Sequence, residues 1–129
     1  MKGRLRTIAA AVAGVIAWPV VATVGNLVLR LVLDGYRDAE PGMAFSSSMM
    51  VGRLAVGLVA AIASGVVARV VAGRRGAAPW AAGIVLLAAF LPVHIGLWSR
   101  FPVTYHLFFL VSLVSMPPLG ARAITRIER

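Results

Sequence analysis

Nine residues carry most of the chemistry this 129-residue chain can offer: Asn26, Arg30, Asp34, Asp38, Glu40, Arg53, His94, Arg100 and His106. Asn26, Arg30 and Asp34 are four apart, so on a helix they line one face over two turns. Arg53 follows Ser46-Ser47-Ser48 by about two helical turns. A cation at that depth in apolar surroundings must snorkel, line a wet cavity or find an acid. Asp34, Asp38 and Glu40 are the acids near it in sequence, so Arg53 is expected to pair with this acidic loop, which then folds back over the helix ends. The same arginines could instead hold an anionic headgroup or substrate, because guanidinium bonds phosphate and carboxylate through two parallel donors.

His94 and His106 stand six residues either side of Arg100. In a helical hairpin turning at Arg100 they lie at equal depth. Such a pair could ligate haem iron or a transition metal. No Asp or Glu follows Glu40 until Glu128, however, so no carboxylate orients the imidazoles. No metal and no cofactor is therefore expected, and a backbone carbonyl or water is the expected partner, with the Ala88 carbonyl freed by Pro92 as one acceptor. The chain has no cysteine, which removes disulfides, thiolate nucleophiles and Cys-based zinc or iron–sulfur sites. There is no phosphate-binding loop and no dinucleotide fingerprint. Ser46 to Ser48 read as a helix cap, and Met43, Met49, Met50 and Met116 as packing. No catalytic residue is assigned and no enzyme activity is expected.

The elements that would position these residues are membrane helices. Hydrophobic residues make up 60% of the chain and mean hydropathy is +0.93. The apolar residues come in runs long enough to span a bilayer rather than in stripes. A net charge of +9 does not indicate nucleic acid, since the basic residues flank apolar runs instead of forming a polar face with aromatics. Four segments are predicted, Leu5 to Leu33, Ser46 to Ala72, Pro79 to Trp98 and Pro102 to Ala121, making residues 1–129 one domain. The first opens like a secretory signal, but its apolar character continues to Leu33, which favours an uncleaved helix, kinked by Pro19. In the second, Gly57, Ala61 and Gly65 recur every four residues, as do Ala60, Ser64 and Ala68, a spacing that lets membrane helices approach closely. Pro117-Pro118 is expected to break or bend the fourth, with Ser112 and Ser115 bonding the carbonyls left free. Trp98, Phe101 and Tyr105 cluster at one interface and Trp80 marks the other.

The fold expected is therefore an all-α integral membrane protein, an antiparallel four-helix transmembrane bundle. Lys2, Arg4, Arg6, Arg69, Arg74, Arg75, Arg122, Arg126 and Arg129 fall on one side, and Arg30, Arg37, Arg53 and Arg100 at or toward the other. That bias puts both termini in the cytoplasm of a bacterium, the chain in its inner membrane, and the Asp34 to Phe45 loop outside. Small multidrug transporters and fluoride channels share the size and four-span plan. The first segment lacks the central acid of the former, while Val24-Gly25-Asn26 and Phe45 to Ser48 match the latter only loosely. No family is assigned. The expected function is a non-enzymatic accessory or interaction subunit, packing through its second helix in a homo-oligomer or a larger membrane complex, with the lipid bilayer as its other partner and no nucleic acid. The alternative is a small transporter or channel for an anionic or lipid-like substrate, with an outward-facing arginine-lined vestibule.

Overall fold

The computed structural model describes residues 2–74 and 76–128. Those residues form four long helices and one short one: α1 Lys2–Val32, α2 Tyr36–Ala39, α3 Ser47–Ala72, α4 Ala77–Gly96 and α5 Val103–Ile127. The four long helices are each long and apolar enough to cross a membrane. They form a bundle in which α3 packs on α1, α4 and α5, and α4 closes against both α1 and α5. Large exposed side chains such as Ile16, Val24, Ile84 and Val111 face outward, as suits contact with lipid. The described residues are thus helical without strands, and their four long apolar helices fit a small membrane protein by length and composition.

Helix ends follow local chemistry. The Ser46 side chain accepts a hydrogen bond from the Met49 amide at 3.3 Å, so α3 begins one residue after its cap. Gly73, with φ 70°, ends α3 in a conformation that side chains with a Cβ disfavour. Two details differ from expectation. The acidic loop contains α2, a single turn entered through left-handed Gly35. α1, expected as one span, is helical across Pro19.

α5 also runs on past Pro117-Pro118 to Ile127 instead of breaking. The two prolines remove the amide donors that would have bonded the Leu113 and Val114 carbonyls. Both carbonyls lie against Gly83 of α4, where a Cβ would come within 2.7 and 3.3 Å of the two oxygens. Backbone contact with a bare glycine thus covers what the prolines leave open. The serines do not serve that purpose, since Ser112 donates to Phe109 O at 2.6 Å and Ser115 to Val111 O at 2.8 Å.

The small-residue stripes of α3 are used inside the chain. Gly57 and Gly65 face α5, where a Cβ at Gly57 would press on the Phe109 ring and one at Gly65 would run into the Pro117 carbonyl. Ala60, Ala61, Ser64 and Ala68 are fully buried, and Gly14 of α1 fits against Ser64 and Ala68. The close helix approach expected at Gly57, Ala61 and Gly65 is thus made between helices of one chain, and with these three residues buried this face offers no support for packing on a second molecule.

Contacts sort the charged residues into two ends. Arg6 Nε donates to Val71 O at 2.9 Å, and Arg69 Nε to Thr125 Oγ1 at 3.2 Å, gathering the start of α1 and the ends of α3 and α5. Arg30, Arg53 and Arg100 lie at the other end, with the loop. Of the residues counted for orientation, Arg75 and Arg129 lie outside the described residues.

Candidate functional site

At the loop end, residues from α1, α2, α3 and α5 join in one hydrogen-bonded chain. Arg53, half-buried on α3, donates from one terminal nitrogen to Tyr36 Oη at 2.9 Å and from Nε to Tyr105 Oη at 3.3 Å. Tyr36, fully buried, donates its own hydroxyl hydrogen bond to Asn26 Oδ1 at 2.7 Å. The guanidinium also lies 4.5 Å from the Phe45 ring centre, a cation–π contact. Arg53 therefore meets the loop through its aromatic residues and not through its acids, which corrects the expected ion pair. A phenol satisfies a guanidinium donor without the second desolvated charge that a carboxylate would bring.

The acid that pairs is Glu40, and its partner is Arg30. Nε and a terminal nitrogen of Arg30 donate to the two carboxylate oxygens at 2.6 and 2.7 Å, a bidentate clamp between α1 and the end of α2. The Arg30 hydrogen bonds hold the Glu40 carboxyl below the usual carboxylate range. Asp34 and Asp38 are exposed and bond to no side chain among the described residues. Asp34 lies past the end of α1, so the predicted stripe of Asn26, Arg30 and Asp34 reduces to its first two members. Arg100 reaches across to Gly42 O at 3.4 Å, fastening the loop to the α4–α5 turn.

His94 and His106 do come together. Their Nδ1 atoms are 2.7 Å apart, and His106 Nε2 lies 3.3 Å from Trp98 O. This replaces the expected Ala88 acceptor. A carbonyl only accepts, so His106 carries its proton on Nε2. In the neutral pair, His94 must then donate from Nδ1, leaving its Nε2 as a bare acceptor. That atom has no partner, yet it is not among the sealed unpaired side-chain atoms, which among the described residues are Trp18 Nε1 and Ser64 Oγ. It is reached from outside. Two imidazole nitrogens at 2.7 Å share a proton; two ligands of one metal, each ~2.0–2.1 Å from it at a tetrahedral angle, stand farther apart.

These groups border a cleft of about 490 Å³. Trp18, Phe90 and Phe109 form its aromatic wall, with Trp18 and Phe109 at 6.0 Å and Phe90 and Phe109 at 5.4 Å. Asn26, Arg30, Arg53 and His94 supply its polar side. Its exposed lining residues are Pro19, Thr23, Leu27 and Arg30 of α1, Met43 of the loop and Val93 of α4, so the cleft opens along α1 and α4 and reaches the loop end.

Of the nine predicted residues, Asn26, Arg30, Arg53, His94 and His106 line the cleft, Glu40 and Arg100 hold its cover, and Asp34 and Asp38 stand apart. Sequence reasoning missed Tyr36 and the aromatic wall. The signal for Tyr36 was an aromatic with a polar tip inside an otherwise charged loop, beside a glycine able to turn the chain inward. No family model, curated protein or solved structure matches this chain.

Proposed function

We propose that the chain is a small, non-enzymatic, multi-pass protein of a bacterial inner membrane that binds an anionic, lipid-like amphiphile in the cleft, as a carrier or channel would. The carrying observation is the pairing, in one cleft, of the Arg53 guanidinium and the His94 acceptor with the wall of Trp18, Phe90 and Phe109. An anionic or hydroxylated head would meet the polar groups, and an apolar body the rings.

The four spans run antiparallel in this reading. Support comes from Arg6 at the start of α1 meeting Val71 at the end of α3, and from Gly25 and Gly14 meeting Val56 and Ser64 in reverse order. Both termini are cytoplasmic, because among the described residues Lys2, Arg4, Arg6, Arg69, Arg74, Arg122 and Arg126 gather at their end against Arg30, Arg37, Arg53 and Arg100 at the other. The cleft then opens in the outer half of the membrane.

Purification in mild detergent followed by mass spectrometry of extracted small molecules tests the proposal. A retained amphiphile, lost or reduced about tenfold in Arg53→Gln, fits the ~1.5–3 kcal/mol typical of a hydrogen bond to a charged group. Ligand-free protein, together with no liposome flux or binding for any anionic amphiphile, would sink it. The accessory-subunit reading retains one supporting feature, the row Val12, Ile16, Val20 and Val24, each about half exposed along the outer face of α1. Crosslinking through this row to one defined partner would favour that reading.

A further inference from the structure

We infer that the opposite end of the bundle holds a second, separate binding site, for the phosphate headgroup of an anionic phospholipid. Arg69 from the last turn of α3, Arg74 from the α3–α4 turn and Arg122 from α5 surround a cavity of about 550 Å³, walled by Pro79, Trp80 and Pro118. It shares no residue with the cleft.

Arg69 gives this cavity a fixed donor. Its side chain is 15% exposed, and Nε is tied to Thr125 Oγ1 at 3.2 Å while Thr125 donates onward to Ala121 O at 3.0 Å. The guanidinium is therefore oriented by the fold. Among the described residues the acid near its terminal nitrogens is Glu128, at 3.8 Å and 61% exposed, too far for a charge-assisted hydrogen bond. Arg74 and Arg122 make no side-chain hydrogen bond among the described residues. Among the described residues, three guanidiniums thus face one cavity with a single peripheral acid, Glu128. A phosphate monoanion supplies the missing charge, and its oxygens match guanidinium donors in pairs.

The lipid source follows from the walls. Trp80, 45% exposed in the first turn of α4, is the kind of side chain that settles at headgroup level. One turn deeper Ile84 is 57% exposed, and on α5 Leu119 is 47% exposed, an apolar surface for acyl chains below the arginines. Basic pockets between membrane helices hold anionic headgroups by this combination. The argument holds for either orientation of the chain.

Native mass spectrometry of the purified full chain, titrated in parallel with phosphatidylglycerol and phosphatidylcholine, tests the site. Phosphatidylglycerol adducts should dominate. Arg74→Gln with Arg122→Gln, neither of which removes a side-chain hydrogen bond, should weaken them about fivefold per arginine at ~1 kcal/mol each. Phosphatidylcholine binding should not change. The fall should persist in an Arg53→Gln background, which separates this site from the cleft, and Glu128→Gln should strengthen binding. Equal retention of the two lipids, or an unchanged phosphatidylglycerol titration in the double variant, would overturn the inference. Glycerol phosphate without acyl chains should compete poorly; competition equal to the lipid would assign the site to a soluble phosphate and overturn the lipid source.

Discussion

At the loop end, Arg30 holds both oxygens of Glu40 and Arg53 holds two phenols and a ring face. At the other end, Arg74 and Arg122 hold nothing among the described residues, and Arg69 has one side-chain hydrogen bond. The arginines of the loop network are therefore structural, whereas at the other end Arg6 and Arg69 join helices and Arg74 and Arg122 are left available. The loop makes the difference: residues 33–46 are long enough to fold back with Tyr36, Glu40 and Phe45, whereas the α3–α4 turn, from Gly73 to Gly76, is too short to bring a partner. Cations left without internal partners meet whatever anion the surroundings provide.

This contrast can be broken or sharpened by substitution. The largest effect is expected at the α3–α5 contact. Gly65→Ala drives a methyl into the Pro117 carbonyl, which is backbone and cannot give, whereas Gly57→Ala meets the Phe109 ring, which can turn. Thermal unfolding in detergent should show a cost of about 3 kcal/mol or more for the first and about 1 kcal/mol for the second. Equal costs would show that the inner half of the bundle is as adaptable as the outer.

Next in size is Tyr36→Phe. It leaves a donor of Arg53 and the Asn26 oxygen without their partner, and should cost about 1–3 kcal/mol in the same assay. Arg122→Gln should stay within about 0.5 kcal/mol, as expected of a surface cation with no partner. A large effect of Arg122→Gln on stability would erase the distinction between the two ends.

A smaller effect, read locally, concerns pH. Arg30 lowers the Glu40 pKa in the folded chain, so the clamp's contribution is complete above the ordinary glutamate value of ~4.3 and is lost as pH falls through the lower folded value. Hydrogen exchange of residues 33–46 should stay slow down to that range and rise below it. In Glu40→Gln the exchange should be faster at neutral pH and lack this acid-side rise. The same acid-side rise in the variant would assign the loop's closure to other groups.

Two stretches show where sequence reasoning reached its limit. A cap among Ser46 to Ser48, the four apolar runs and the equal depth of His94 and His106 were legible, because capping, span length and hairpin symmetry are local or nearly local properties, whereas the bond between the two imidazoles was not foreseen. The partner of Arg53 was not. Charge complementarity pointed to an acid, but the loop's path put Tyr36 beneath Arg53 and Glu40 beside Arg30, and that choice depends on the left-handed turn at Gly35. The break entertained at Pro117-Pro118 fails for a related reason. A lone helix would break there, but Gly83 on another helix covers the freed carbonyls.

By itself, then, the order of residues determined an all-helical chain with four spans long and apolar enough for a membrane and a polar cluster near one set of helix ends, because hydropathy, proline and serine act over a few residues. Only the tertiary structure decided that the glycine stripe of α3 faces inward, that Arg53 bonds phenols, and that a cleft with an aromatic wall opens along α1 and α4 toward the loop. Those outcomes depend on which side chains from distant helices occupy the same few ångströms.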